Sequence, residues 1–333
     1  MTGAVGTAGG QRSPWLGADR WRRLFRELPI IPLSGLLVLL VLVLELVRPG
    51  IVNVNWVAVT VRAAVPLAIL AACQTLTMLT GGIDLSVGMV ASAAAYIMAT
   101  QSGQLGPVPA ILAGLLAATV AGLVNGIGIG VFRVHPLIMT LGMSLVVLGL
   151  LTVYSLTAVT AGVRVPDFIA SLGSDLSIGF VPNSLLLFVP IIVLILFTLG
   201  RTGFGRLLYA VGDNPVAARL SGVRSWQVLV ALYMLSALLA AAAGILFSGQ
   251  AKTATISIME PFVLPSVAAA VIGGTSIMGG RGGYGGTIVG ALILTVLSTL
   301  LAVLQMPEGA RQILFGAIIV VVAAAYTRVT GES

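Results

Sequence analysis

Long apolar runs alternate with short polar breaks along the whole chain, and most of the runs have the length of a membrane crossing. A span needs about 20 mainly apolar residues rising 1.5 Å each. On that measure the sequence predicts about ten transmembrane helices, at Ile30–Val47, Val57–Leu79, Leu85–Thr100, Val108–Val131, Leu137–Val159, Ser184–Leu199, Gln227–Phe247, Phe262–Ile277, Thr287–Leu304 and Gly309–Thr327. The fold class is therefore an all-α integral membrane protein, a bundle with broken, glycine-rich helices. The third run is short, and its separation from the second rests on a Gly-Gly-Ile-Asp break.

Composition strengthens this reading. Of 333 residues, 58% are hydrophobic and 8% charged, against about 25% charged in soluble domains. Too few polar residues remain to cover a soluble exterior, whereas lipid needs no such cover. The 41 glycines suit close helix packing inside a membrane bundle. The net charge of +7 comes from arginines lying between apolar runs rather than on one continuous face, which argues against nucleic acid. Cys73 and His135 are each the sole residue of their kind, which argues against disulfides and a cysteine metal site and removes most histidine-based metal and triad chemistry. Arginines precede Ile30–Leu46 as in a signal peptide. The chain then reads Glu45-Leu-Val-Arg-Pro-Gly with no small-residue cleavage site, which predicts an uncleaved first helix.

Orientation follows from the positive-inside rule. With a cytoplasmic N-terminus and alternating spans, the inner segments hold Arg12, Arg20, Arg22, Arg23, Arg26, Arg133, Arg201, Arg206, Arg219, Arg224, Arg281 and Arg328. The outer ones keep Arg48, Arg164, Lys252 and Arg311, with Arg62 near an outer face. An even span count returns the C-terminus to the inside. Residues 1–28 form a basic tail ahead of a transmembrane domain at 29–328. In the tail Trp21, Leu24, Phe25 and Leu28 share a helical face among arginines. That pattern fits an interfacial helix on the inner leaflet or a basic flank that only sets topology.

Three segments interrupt the apolar pattern. The first is Thr80-Gly-Gly-Ile-Asp-Leu-Ser-Val-Gly88. A carboxylate between two spans is costly and persists where partners, water or function compensate. Asp84 or Ser86 can cap the next helix, or Asp84 can face a solute route; both readings stand. Gln74, Thr77 and Thr80 make the preceding helix end unusually polar. The second segment is the loop 200–226, with Gly212-Asp-Asn-Pro-Val-Ala-Ala-Arg-Leu-Ser-Gly222 inside it. Asn214 suits an N-cap, Pro215 the first helical position and Gly222 the left-handed residue past the end. Ala217, Ala218 and Leu220 give this short helix a small apolar face. A helix of about seven residues does not stand alone in water, so either its own chain or a partner's groove must hold it. The third segment, Val271–Gly286, holds eight glycines in sixteen residues, too many for an ordinary helix. The Gly-x4-Gly-Lys-Ser/Thr phosphate loop is absent from the chain.

Gly122, Gly126 and Gly130 recur every fourth residue as a stripe for close helix contact, and Asn125 within it can bond across helices. A self-contained secondary transporter needs ion-coupling carboxylates inside its spans, and only Glu45 and Asp84 qualify, both near helix ends. An intramembrane enzyme needs a carboxylate pair or histidine cluster, and neither is visible.

Together Leu79–Gly88, Gly212–Gly222 and Gly273–Gly282 (Gly-Gly-Thr-Ser-Ile-Met-Gly-Gly-Arg-Gly) resemble, in order and spacing, the signature strings of permease subunits of ribose-type sugar ABC importers. The resemblance runs from about Pro49 to Tyr326. It implies that two permease chains, identical or related, pair around a central path in the cytoplasmic membrane. A cytoplasmic ATP-binding subunit would engage Gly212, Asp213, Asn214, Pro215, Ala217, Ala218, Arg219, Leu220 and Gly222. An extracytoplasmic binding protein would deliver the sugar. The pathway candidates are Gln74, Thr77, Thr80, Asp84, Ser86 and Asn125. The chain itself would need no cofactor and no catalytic residue, since ATP belongs to the partner. Branched-chain amino acid permeases share the broad architecture, which leaves a non-sugar solute open.

Overall fold

The computed structural model describes residues 30–320 except 159–161, 178, 308, 315, 318 and 319. The basic tail with its proposed interfacial helix, and most of the run at 309–327, lie outside these residues. The described chain is almost wholly helical. Its elements are α1 Ile30–Val47, α2 Val54–Met78, α3 Val87–Leu105, α4 Pro107–Gly130, α5 Pro136–Ala158, α6 Asp167–Ser174, α7 Leu185–Arg201, α8 Gly203–Asp213, α9 Pro215–Leu220, α10 Ser225–Ala251, α11 Val263–Ile272 and α12 Tyr284–Val303. A two-residue antiparallel pair, β1 (Leu176–Ser177) and β2 (Val181–Pro182), follows α6.

Local chemistry sets several of the boundaries. Asn53 caps α2 by accepting from the Trp56 N–H at 2.9 Å, which starts that helix three residues ahead of the apolar run. Gly106 at φ +84° ends α3, and Pro107 opens α4, where a missing N–H costs nothing. Beyond α1, the Glu45 carboxylate accepts from the Gly50 N–H at 2.7 Å and the Val52 N–H at 3.0 Å. That carboxylate is committed to a turn.

α10 is the hub. It packs against α2, α3, α4 and α6, while α12 packs on α1, α2 and α11. α1 stands at the edge, with Leu44 its only buried residue. The middle of α2 and most of α3 are sealed inside. The glycine stripe of α4 lies against the backbone of α10. A Cβ on Gly122 would lie 2.5 Å from the Tyr233 carbonyl oxygen, and one on Gly126 2.6 Å from the Val230 Cα. One on Gly130 would lie 2.9 Å from the Trp226 oxygen. These three glycines let two backbones touch.

Among the described residues, six helices are long and apolar enough to cross a membrane, and a seventh span arises if α7 and α8 count as one. The predicted ten is not matched span for span: most of the run at 309–327 lies outside the described residues, and three of the other runs differ for particular reasons. α3 has 19 residues but is rich in Ala, Ser and Gly and is walled in by its neighbours. α7 has 17 residues and turns by 67° into α8. α11 has ten residues, a length of about 15 Å against an apolar core of about 30 Å. The loop at 200–226 is also not open, since it holds two helices, α8 and α9.

Candidate functional site

The three interrupting segments meet. The Gly280 N–H donates to the Leu79 carbonyl at 3.0 Å. A Cβ on Gly212 would overlap that same carbonyl. Gly279, held at φ +94°, would bring a Cβ to 2.9 Å from the Gly212 oxygen and 3.0 Å from the Gly81 nitrogen. A Cβ on Gly280 would stand 3.0 Å from the Asp213 Cα. Tyr209 of α8 adds a bond from its hydroxyl to the Gly282 carbonyl at 2.9 Å. Residues some 70 to 200 positions apart in sequence thus form one backbone-to-backbone junction, and the glycines are there because no side chain fits between the strands of chain. Spacing within each segment gave no sign of this convergence.

Behind the junction lies the Asp84 break. Asp84 is 2% exposed. Its Oδ1 accepts from the Ser86 N–H at 3.0 Å and the Ser86 hydroxyl at 2.6 Å. Its Oδ2 accepts from Ser236 of α10 at 3.1 Å. The carboxylate therefore closes the turn before α3, while the Ser86 side chain makes no capping bond of its own. Gln74 clasps the break from the other side: its Nε2 donates to the Asp84 carbonyl at 2.8 Å, and its Oε1 accepts from the Asp84 N–H at 3.2 Å. Asn125 donates to the Ser86 hydroxyl at 2.9 Å. Thr140 of α5 accepts from the Leu85 N–H at 3.1 Å. Ser236 and Thr140 belong to this network but carry no signal in sequence, since each is one hydroxyl in an apolar run.

Of the six pathway candidates, Gln74, Thr77, Asp84, Ser86 and Asn125 are buried within the chain. The Thr77 hydroxyl donates to the Cys73 and Gln74 carbonyls of its own helix. Thr80 alone of the six borders open space, in a cavity of about 600 Å³ that also reaches Gly81, Pro136, Arg219 and Tyr233.

α9 is capped at both ends. Asn214 accepts from the Val216 and Ala217 N–H groups at 3.0 and 2.9 Å, Pro215 takes the first helical position, and Gly222 stands at φ +85°. The predicted apolar face divides, however. Ala218 is 6% exposed and packs inward, whereas Leu220 is 86% and Val216 56% exposed. The bundle holds the helix by Ala218, and the outward apolar pair is Val216 with Leu220. Arg219 turns back to the Pro215 carbonyl at 3.2 Å.

A lipid-spanning helical bundle with a short capped helix displayed beside three fused glycine breaks is the frame of a membrane transport subunit. The chain belongs to the family described as branched-chain amino acid transport system / permease component, which it matches over residues 57–323. It is 32% identical over 302 residues to the fructose import permease protein of Rhizobium meliloti, covering 86% of this chain and 83% of that protein. It is similarly 32% identical over 292 residues to the ribose import permease protein of Bacillus subtilis, covering 87% and 90%. With the ribose import permease protein of Escherichia coli K12 the identity is 32% over 282 residues, covering 83% and 88%. No solved structure matches the chain.

Proposed function

We propose that this chain is the membrane-spanning permease subunit of an ATP-driven, binding-protein-dependent importer that carries a small sugar across the cytoplasmic membrane. The named relatives import ribose and fructose, and they cover most of this chain's length. The observation that carries the reading is α9. It is too short to persist alone, is anchored by Ala218 and the Gly212 junction, and presents Val216 and Leu220 outward with nothing over them. A cytoplasmic ATP-binding subunit that grips this pair can push through Gly212 on Leu79 and Gly280, and so on the ends of α2 and the glycine loop before α12. Force applied at one rigid backbone junction moves several helices together, as a switch between two packed arrangements requires. The hydrolysis of ATP lies in the partner, and a second permease chain completes the path.

The test is uptake of labelled ribose and fructose into proteoliposomes holding this chain, its ATP-binding subunit and its binding protein. Leu220→Asp is expected to leave the bundle intact and to abolish both uptake and solute-stimulated ATP hydrolysis. Uptake by the chain alone without ATP, or an unaffected Leu220→Asp complex, would sink the reading.

A further inference from the structure

The cavity that Thr80 borders has a wall chemistry the proposed sugar does not require. It lies between α9, the first turns of α10 and the connection from α4 to α5, and holds about 600 Å³. Arg133, Arg219, Arg224 and His135 line it, and no acidic side chain does. Among the described residues Arg133 and Arg224 have no side-chain hydrogen bond or ion pair, and Arg219 holds only the Pro215 carbonyl. Two further wall residues, Tyr233 and Ser225, each bury a hydroxyl that lacks a partner. Tyr233 is 0% exposed. Buried hydroxyls are normally satisfied, so two beside one cation-rich cavity point to a ligand with several acceptor oxygens. A neutral sugar gives three guanidinium groups no charge to meet. A phosphate does, and planar guanidinium groups match its oxygens. The wall adds Trp226, 47% exposed, a residue type that favours the membrane–water interface.

We propose that this cavity binds a phosphate group, carried on an anionic phospholipid headgroup or free as inorganic phosphate, between α9 and the bundle. The site stands whether or not the solute is a sugar. Basic pockets between membrane helices take acidic headgroups in this way.

The experiment uses the full chain in nanodiscs of phosphatidylcholine with or without phosphatidylglycerol, read by native mass spectrometry for retained lipid. In a second arm the protein sits in phosphatidylcholine alone and inorganic phosphate is titrated against its melting temperature. Arg133→Gln with Arg224→Gln should lower retained phosphatidylglycerol by roughly an order of magnitude, and the paired Arg→Lys variant should restore part of it. Arg201→Gln, outside the cavity, should change nothing. Retention lost only in the glutamine pair assigns a lipid headgroup. A phosphate-dependent rise in melting temperature that the same pair abolishes assigns free phosphate. Equal retention in every variant with no phosphate response overturns the site. So does loss of bound lipid on adding the ATP-binding subunit, which would give these cations to an acidic surface of that partner.

Discussion

Among the described residues, Asp84 is a carboxylate with no cation paired to it. Its three accepted bonds come from the Ser86 N–H, the Ser86 hydroxyl and the Ser236 hydroxyl, and they tie the turn before α3 to α10. Removing a buried acceptor strands its donors at about 1–3 kcal/mol each. Asp84→Ala should therefore cost more than Ser236→Ala, which loses a single bond, and melting of the solubilised chain gives both values. Equal melting temperatures for Asp84→Ala and wild type would remove the carboxylate from the architecture. The glycines divide by cause in the same way. At Gly212 a methyl group meets the Leu79 backbone, which has no room to yield. At Gly222 there is open space and only the φ of +85° resists a side chain, a cost of about 1–2 kcal/mol. Gly212→Ala should abolish uptake while membrane insertion continues, and Gly222→Ala should retain most of it; the opposite order would dissolve the junction. Much of this was legible beforehand. An Asp among glycines between two apolar runs marks a break, and Asn-Pro with a later Gly marks a capped helix. Ser236 and Thr140 were not legible, because a lone hydroxyl on a long apolar helix looks the same whether or not something faces it.

Among the elements, α9 shows where sequence pattern stops. Ala217, Ala218 and Leu220 read as one apolar face, yet Ala218 is claimed by the bundle and Leu220 is left outside. Ala218→Arg should therefore detach α9 from its own chain and lower the melting temperature, whereas Leu220→Asp should leave melting unchanged and affect only the complex. Thermal unfolding of the two variants separates the effects, and a stable Ala218→Arg chain would contradict the inward packing. α6 and its small hairpin offer a pH handle. Hydrogen bonds from Ser171 and Ser174, helped by Lys252 and Arg62, hold the Asp175 carboxyl below its usual range. A lowered pKa gives stability that is present above the unfolded value and is lost as pH falls through the folded one. Amide exchange around residues 171–183 should quicken only in acid below the ordinary carboxylate range, and Asp175→Asn should remove that dependence.

For the whole molecule, the lone cysteine becomes an instrument. Cys73 is fully buried, and its thiol faces the Ser236 carbonyl at 3.2 Å. Thiol reagents should leave the folded wild-type chain unlabelled. Val216→Cys, at a position 56% exposed, should then label without background, and an impermeant reagent should reach it only from the cytoplasmic side. Labelling from outside would reverse the orientation read from the arginines and remove the ATP-binding subunit from α9.

The apolar runs, the scarcity of charge and the three motif strings determined by themselves that this chain lives in lipid, where its breaks fall and which family it joins. Those properties depend on near neighbours in sequence and on transfer of side chains out of water. What the tertiary structure alone decided was the meeting of Leu79, Gly212 and Gly280, the inward turn of Ala218, and the shortening or bending of the apolar runs at α7 and α11. Each depends on which distant backbone arrives alongside, and close packing between helices is a property of pairs of surfaces that no single stretch of sequence contains.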